Sequence, residues 1–560
     1  MSRPSRSVPW VAGAVALLLA LFLAGTVHAE YLGNITFGHP SPSFLPNGLQ
    51  VTVSVDYKID DPAGRRIYVL PYTDGAPSPG YGVSGSPIYP AGTGTATNFF
   101  TILSGTVAID EVRVYTRDPD FTVTPLEVFV PVIYRYGPHG LWNVQPDHSQ
   151  HSHLRHGMQL SMTFDYEVDA PGCKIYARPF NSGHLEPGYF ASGSADLPPS
   201  GSYSQDFYFN DDADMTHIRF QIFALDNTTL LQEIFVPWDC HWREWGVYDI
   251  SLDWPDLTSL HNTQNLVSSF TVDHLDPAGL YAWMLLVKDG GLAVPQNYQG
   301  SVLLGAGTHA ITRFARINAG TVQTDAVRFI IGQPGDSYLE FDVPRLIDYG
   351  PHALQNFAFT PAAPAILSNG EHLQMTFDYI TDHGANVLIF GRPAYDGTPL
   401  FGMTSSGSPY YAPPSGSGSF WCTFASGNHL ADSIRFQMVN ADQSVVLLEH
   451  HAHGSWAWGT PATITPVAEA PPAALASLGH CYPNPFNPTT TIPVTLGRGM
   501  QVKLAVYDLR GHLVRTLQDG VLAAGEHAFT FDGKGLASGA YLCRLESPVG
   551  VATERLTLVK

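Results

Sequence analysis

The chain has 560 residues, of which 14% are charged and 97 are glycine or proline, with a formal charge of −21. An apolar share of 44% with 12% aromatics can build several cores, so the composition is not that of a disordered chain, and the wealth of turn residues suits β domains better than helical bundles. The acidic balance repels phosphate backbones and no basic patch interleaves with aromatics, so nucleic acid is not an expected partner.

Residues 1–29 read as a secretory signal peptide. Arg3 and Arg6 form a positive start, "WVAGAVALLLALFLAG" is an apolar run, and Val27-His28-Ala29 offers small flanks before Glu30. About 16 apolar residues fall short of the roughly 20 of a membrane helix. No later stretch approaches such a span, so no transmembrane segment is expected after signal removal. The mature chain would carry a charge of −23, because two arginines and no acids leave with the signal.

Four repeats follow. Strand patterns of period two open them: "LQVTVSVDYKI", "MQLSMTFDYEV", "LVSSFTVDHL" and "HLQMTFDYI". In the first, Val51, Val53, Val55 and Tyr57 share one face while Thr52, Ser54 and Asp56 share the other. Asp56, Asp165, Asp273 and Asp378 mark a repeat of about 107 residues. A second landmark lies 54 to 57 residues further on, in "DEVRVY", "THIRFQ", "DAVRFI" and "DSIRFQ", at Arg113, Arg219, Arg328 and Arg435. These Asp and Arg landmarks are read as structural, with Asp capping a turn and Arg pairing with it across the sheet. A unit of this size is that of a β-sandwich, too long for a solenoid repeat. The expected fold is all-β: tandem β-sandwich domains, Ig-like by default, plus a small C-terminal β-sandwich. The boundaries are repeat 1 at 30–138, repeat 2 at 139–245, a diverged repeat 3 at 246–351, and repeat 4 at 352–458. "YGPHG" (Tyr136–Gly140) and "YGPHA" (Tyr349–Ala353) stand at junctions, where proline stiffens the hinge.

The loops offer aromatics: Tyr81, Tyr89, Tyr189, Tyr410 and Tyr411 beside Gly-Ser-Pro turns, suited to stacking on sugar rings or to an ordinary sandwich rim. Two histidine clusters, Asp147/His148/His151/His153/His156 and Glu449/His450/His451/His453, have the chemistry of a divalent-metal site. They do not recur at one equivalent place in every repeat, which favours solvated loop histidines, so no metal or other cofactor is expected. No HExxH, phosphate loop, dinucleotide fingerprint or GxSxG elbow occurs, so no catalytic residue is assigned.

Residues 459–479 form a Pro/Ala-rich spacer. Beyond it, Tyr482-Pro483-Asn484-Pro485-Phe486-Asn487-Pro488 must run extended, because residues before proline are pushed out of the helical region. "VKLAVYDLRGHLVRTL" then carries Tyr507, Asp508 and Gly511, "AAGEHAFTFDG" follows, and "LASGAYLCRL" holds Ser538, Gly539 and Tyr541. With the closing "ATERLTLVK", these motifs make 480–560 resemble a type A C-terminal sorting domain of the type IX secretion system, which overlaps in sequence with the Ig-like domain of the flagellar hook-capping protein. The resemblance implies export across the inner and then the outer membrane of a bacterium of Gram-negative type. It implies contact with the outer-membrane secretion machinery, and release or surface attachment of the passenger. Cys481 and Cys543 depart from the pattern; lying near the two ends of this domain, they form a candidate disulfide or are isolated small apolar residues.

These features point to a non-enzymatic, secreted or cell-surface modular protein, stalk- or adhesin-like, exported through its C-terminal domain. The alternative is a carbohydrate-binding surface protein using the aromatic loops, with glycans or other surface proteins as partners. An exported hydrolase is the least favoured.

Overall fold

A computed structural model describes residues 30–181 and 184–459 without interruption, then 462–463, 476–478, 486, 488–496, 500–508, 513–522, 525–536, 539–547 and 550–558. The signal segment and most of the 459–479 spacer lie outside the described residues. Every regular element among the described residues is a strand.

Repeat 1 has nine: β1 (Tyr31–Phe37), β2 (Ser43–Pro46), β3 (Val51–Ile59), β4 (Arg66–Thr73), β5 (Ala76–Pro77), β6 (Tyr81–Val83), β7 (Gly92–Ile102), β8 (Val107–Arg117) and β9 (Glu127–Gly137). The period of two explains β3, where Val51, Val53, Val55, Tyr57 and Ile59 are buried and the residues between them are not. One sheet runs β6–β7–β3–β1 and the other β5–β4–β8–β9–β2. They close on a core that includes Val53, Val55, Val69, Phe100, Val112 and Tyr134. The same nine strands recur in each of the other repeats, including the diverged third.

The repeats do not extend as a string of separate beads. In each, the short second strand leaves its own sandwich edge to meet the neighbour. β2 lies parallel to β9, and Phe44 pairs with Leu141 in the first strand of repeat 2, His139–Pro146. In repeat 2, Ser152–Arg155 reaches repeat 3 through His153 and Val247. In repeat 4, Ala365–Leu367 returns to β1, Tyr31 opposite Leu367 and Leu32 opposite Ile366. Thr258–His261 of repeat 3 touches His352–Thr360 of repeat 4 without sharing a ladder with it. The four repeats therefore form a closed ring, and three of its four junctions are continuous sheets. Closure covers sheet edges that a linear array would leave bare. Ala462–Thr463 add a further parallel strand on Val128 and Phe129 of β9.

The "YGPHG" phrase is thus less a hinge than a strand-to-strand step, since β9 ends at Gly137 and the next strand begins at His139. Its last glycine is required by close approach: a Cβ on Gly140 would stand 2.4 Å from the ring of Pro46.

The C-terminal part is a separate small sandwich. One sheet joins Ala476–Leu478, Thr489–Leu496 and Gly525–Asp532; the other joins Leu513–Leu522, Met500–Asp508, Gly539–Ser547 and Gly550–Leu558. Phe486, Ile492, Val506, Phe531, Cys543 and Leu558 are in its core, and Leu346 of repeat 3 packs against it.

Candidate functional site

The landmark aspartates sit beside a β-bulge at the start of each repeat. Asn34, Asn143, Asp249 and Asn356 hold positive φ of 48°, 52°, 55° and 54°. Such a bend suits a short polar side chain that can reach a neighbour. Asn34 Nδ2 donates to Asp56 Oδ2 at 2.9 Å, Asn143 to Asp165 at 2.7 Å and Asn356 to Asp378 at 2.8 Å. The other carboxylate oxygen accepts a hydroxyl from the far neighbouring strand: Thr95 at 2.6 Å, Ser202 at 2.5 Å and Ser417 at 2.5 Å. The Ser417 and Asn356 bonds hold the Asp378 carboxyl below the usual range. Repeat 3 replaces the bulge amide with a carboxylate that cannot donate, and Arg155 of repeat 2 supplies the bond to Asp273 at 2.9 Å instead.

The landmark arginines lie in the opposite sheet, so the expected Asp–Arg pairing across one sheet does not form. Each arginine instead meets an acid at the start of the ninth strand. Arg113 pairs with Glu127, Arg219 with Glu233 at 3.6 Å, Arg328 with Glu340 at 2.8 Å and Asp342 at 2.7 Å, and Arg435 with Glu449 at 2.5 Å. Two sequence signals carried these partners. The bulge asparagines stand 22 residues before their aspartates, and the acids open "EVFVP", "EIFVP", "EFDVP" and "EHHAH". Only alignment on the ninth strand shows that "EHHAH" is a repeat element and not a separate histidine motif.

The histidines disperse. His148 faces Asp249 at 3.2 Å, His151 Asp239 at 2.8 Å and His156 Asp212 at 2.9 Å, three different carboxylates. His153 is buried and stacks between His241 at 4.6 Å and Phe341 at 3.9 Å. Burial, helped by the positive His241 and Arg243, drives its pKa down to about 3. Burial also opposes charging of His241, but its contacts with Asp214 at 2.7 Å and Asp239 at 3.5 Å carry its pKa up to about 9. Among the described residues no three His, Cys, Asp or Glu side chains are grouped to hold a metal ion. Ser433 approaches His451 at 3.5 Å, yet its hydroxyl donates to Asp432 and the residue is 1% exposed, which leaves no room for attack on a substrate.

The loop tyrosines divide in two. Tyr89 and Tyr411 occupy a bridge position filled by Leu197 and Leu304 in the other repeats, and lean on Tyr57 and Tyr379. Tyr189 packs against Phe209 beneath Arg178. Tyr81 and Tyr410 remain exposed, one on repeat 1 and the other on repeat 4. They form no common platform.

A cavity of about 840 Å³ opens where repeats 2, 3 and 4 meet. Trp254, Arg345, Phe357, Phe359, His450 and Ser259 are among its walls. Nothing in the period-two pattern marked this place, because it arises from residues that fail to fill a junction.

Phe486 is the described anchor of the Tyr-Pro-Asn-Pro phrase. It is buried, bridges to Leu558 and lies 5.8 Å from Phe531. Tyr507 and Tyr541 stand on paired strands, Asp508 pairs in register with Tyr541, and Gly539 opens its strand. Pro488 accepts the Gly533 N–H at 2.8 Å. Tyr482, Pro483, Asn484, Pro485, Asn487, Gly511 and Ser538 lie outside the described residues, as does Cys481, so the proposed Cys481–Cys543 bridge does too; Cys543 itself is buried. Residues 480–559 match the family model of a secretion system C-terminal sorting domain. The chain ends in a sorting domain. Its presence indicates secretion across the outer membrane to the cell surface or exterior by the type IX route.

No curated protein matches the chain. Among solved structures, a mutant Salmonella alpha-2-macroglobulin is 9% identical with a TM-score of 0.21, covering 95% of this chain and 46% of its own. Escherichia coli alpha-2-macroglobulin activated by porcine elastase is 11% identical with a TM-score of 0.19, covering 95% and 53%. A marsupial T cell receptor is 11% identical with a TM-score of 0.15, covering 55% and 99%. The chain spans about half the length of the two alpha-2-macroglobulins. At such scores these likenesses carry no argument about function.

Proposed function

We propose that this exported chain is a non-enzymatic binding protein of the cell exterior, adhesin-like, with the four-repeat ring as its recognition body and the sorting domain as its address and point of attachment. The observation that carries the reading is the ring itself. Four copies of one sandwich, locked edge to edge, form a rigid scaffold that holds side chains from different repeats around one cavity. Closure also favours a compact head over an extended stalk, because Ala365–Leu367 brings repeat 4 back onto β1. Carbohydrate is the favoured ligand class, since aromatic walls beside polar donors suit the apolar faces and hydroxyls of sugars.

Incubation of the purified chain on a glycan array, with mass spectrometry of the probes afterwards, tests this. Retention of intact glycans is expected. Cleaved probes would overturn the non-enzymatic reading, and a blank array the carbohydrate reading. Export is tested separately: a chain ending at residue 479 should remain in the periplasm, and its appearance on the surface would refute the role given to the tail.

A further inference from the structure

The ring's second strands share one task, and one of them does not perform it. In three repeats a residue inside that strand enters the neighbouring sandwich. Phe44 packs against the core of repeat 2. His153 lies 3.9 Å from the Phe341 ring of repeat 3. Ile366 joins the core of repeat 1. At the junction between repeats 3 and 4 the equivalent residue is Ser259, with a side chain too short to fill the space. It is 1% exposed and its hydroxyl has no hydrogen-bond partner among the described residues. Here alone the second strand and the next repeat's first strand share no ladder. A reciprocal amide pair, Gln264 with Gln355 at 3.0 and 2.9 Å, ties the two repeats instead, and His261 Nε2 lies 3.1 Å from Asp382. The cavity of about 840 Å³ occupies this underfilled junction.

Its walls carry polar groups with nothing to bind. His450 stands where repeat 3 has Phe341; it is 7% exposed, makes no hydrogen bond among the described residues, and stacks on Phe357 with ring centres 5.3 Å apart and planes 5° apart. Burial holds it neutral, with its pKa down at about 4, so one ring nitrogen donates and the other accepts. Arg345 is half-buried and, among the described residues, makes no hydrogen bond, ion pair or contact over an aromatic face. The charge acting on it is Asp256, whose Oδ1 is already engaged by the Leu346 N–H at 2.5 Å. Buried polar groups without partners cost free energy in an empty site and return it to a ligand that satisfies them. A guanidinium presents a planar fork of donors that matches a carboxylate. Trp254, Phe357 and Phe359 supply aromatic surface alongside. The size lies in the range of small-molecule sites.

We propose that the cavity between repeats 2, 3 and 4 binds an acidic saccharide, its carboxylate held by Arg345, its hydroxyls by His450, and its apolar face by the aromatic wall, in the space that the short Ser259 leaves open. This rests on the recognition role given to the ring and names the ligand class of one site in it.

The test is titration calorimetry of the full chain with trigalacturonate, with neutral maltotriose and with trialanine as comparison probes. Saturable binding of trigalacturonate is expected, weakened at least about tenfold by Arg345→Gln. Ser259→Ile places in repeat 3 the plug that repeat 4 carries, and is expected to abolish binding while circular dichroism and the melting temperature are kept. If that variant fails to fold, Arg345→Gln decides alone. Equal binding of maltotriose, unaffected by Arg345→Gln, would overturn the acidic assignment. Preference for trialanine would overturn the saccharide. No saturable binding of any probe would overturn the site. A chain that still retains glycans on the array when Ser259→Ile is present would keep the recognition role and lose this cavity.

Discussion

Asn356 donates to Asp378 over 2.8 Å across the bulge that begins repeat 4, and the pair is reproduced by Asn34 with Asp56 and Asn143 with Asp165. The bond ties a left-handed backbone position to the central strand of its sheet. Asn356→Ala removes the bond and leaves a Cβ at a φ of 54°, and is expected to cost about 2 kcal/mol. Asn356→Gly removes the bond but relieves the backbone, and should cost less. Equal losses in urea unfolding would show that the backbone conformation contributes nothing.

His153 predicts an acid limb in the stability of the ring. A histidine whose folded pKa is depressed contributes stability above its unfolded value of about 6.5, and that stability is lost as pH falls toward the folded value of about 3. Its neighbours His241 and Arg243 push it down, while Asp239 and Asp214 pull the other way. His153→Phe, the aromatic plug of repeat 1, should raise stability at pH 5 by up to about 2 kcal/mol and change it little at pH 8. His241 behaves oppositely. Its raised pKa makes its contribution complete below about 6.5 and lost as pH rises through about 9. A melting temperature independent of pH between 5 and 7 in both proteins would refute the account.

Ile366 is fully buried in the core of a repeat more than 200 residues away in sequence. Ile366→Ala should cost about 2–4 kcal/mol by loss of apolar contact and the cavity left behind. Because the residue also pairs with Leu32, amide exchange along β1 should quicken more than exchange in repeat 3. Uniform quickening throughout the ring would mean that closure is not a local lock.

Cys173, Cys240 and Cys422 are buried and unbridged. Burial pushes the Cys173 thiol up to about 11 and that of Cys422 up to about 12. Neither presents a thiolate at neutral pH. A thiol reagent should leave all three untouched in the native chain and modify all three after unfolding in guanidinium; native modification of Cys422 would contradict its placement.

Much of each sandwich was legible because one face of a strand is wet and the other dry. Val51, Val53 and Val55 announce β3 by alternation alone, and Phe486 announces the sorting domain by its prolines. What alternation cannot convey is which edge meets which. The second strands are three or four residues long, and their partners lie in another repeat, so no local period records them. The arginines were visible, and their acid partners stand in a recurring phrase, but that phrase is recognised as one repeat element only when the ninth strands are aligned. The cavity was least visible, because Ser259 is informative only beside Phe44, His153 and Ile366, the residues that fill the other three junctions.

The pairing of Leu32 with Ile366 makes neighbours of the first and last repeats. A circle has no inherent beginning, so the point where the passenger starts is set by where the chain was opened and not by the architecture. Cutting between Gly137 and His139 and rejoining the old ends by a short linker should yield the same ring in a new order. During synthesis the consequence is temporal. The edge of β1 must wait unpaired until Ala365–Leu367 has been made, so the ring is sealed only late in the making of the chain.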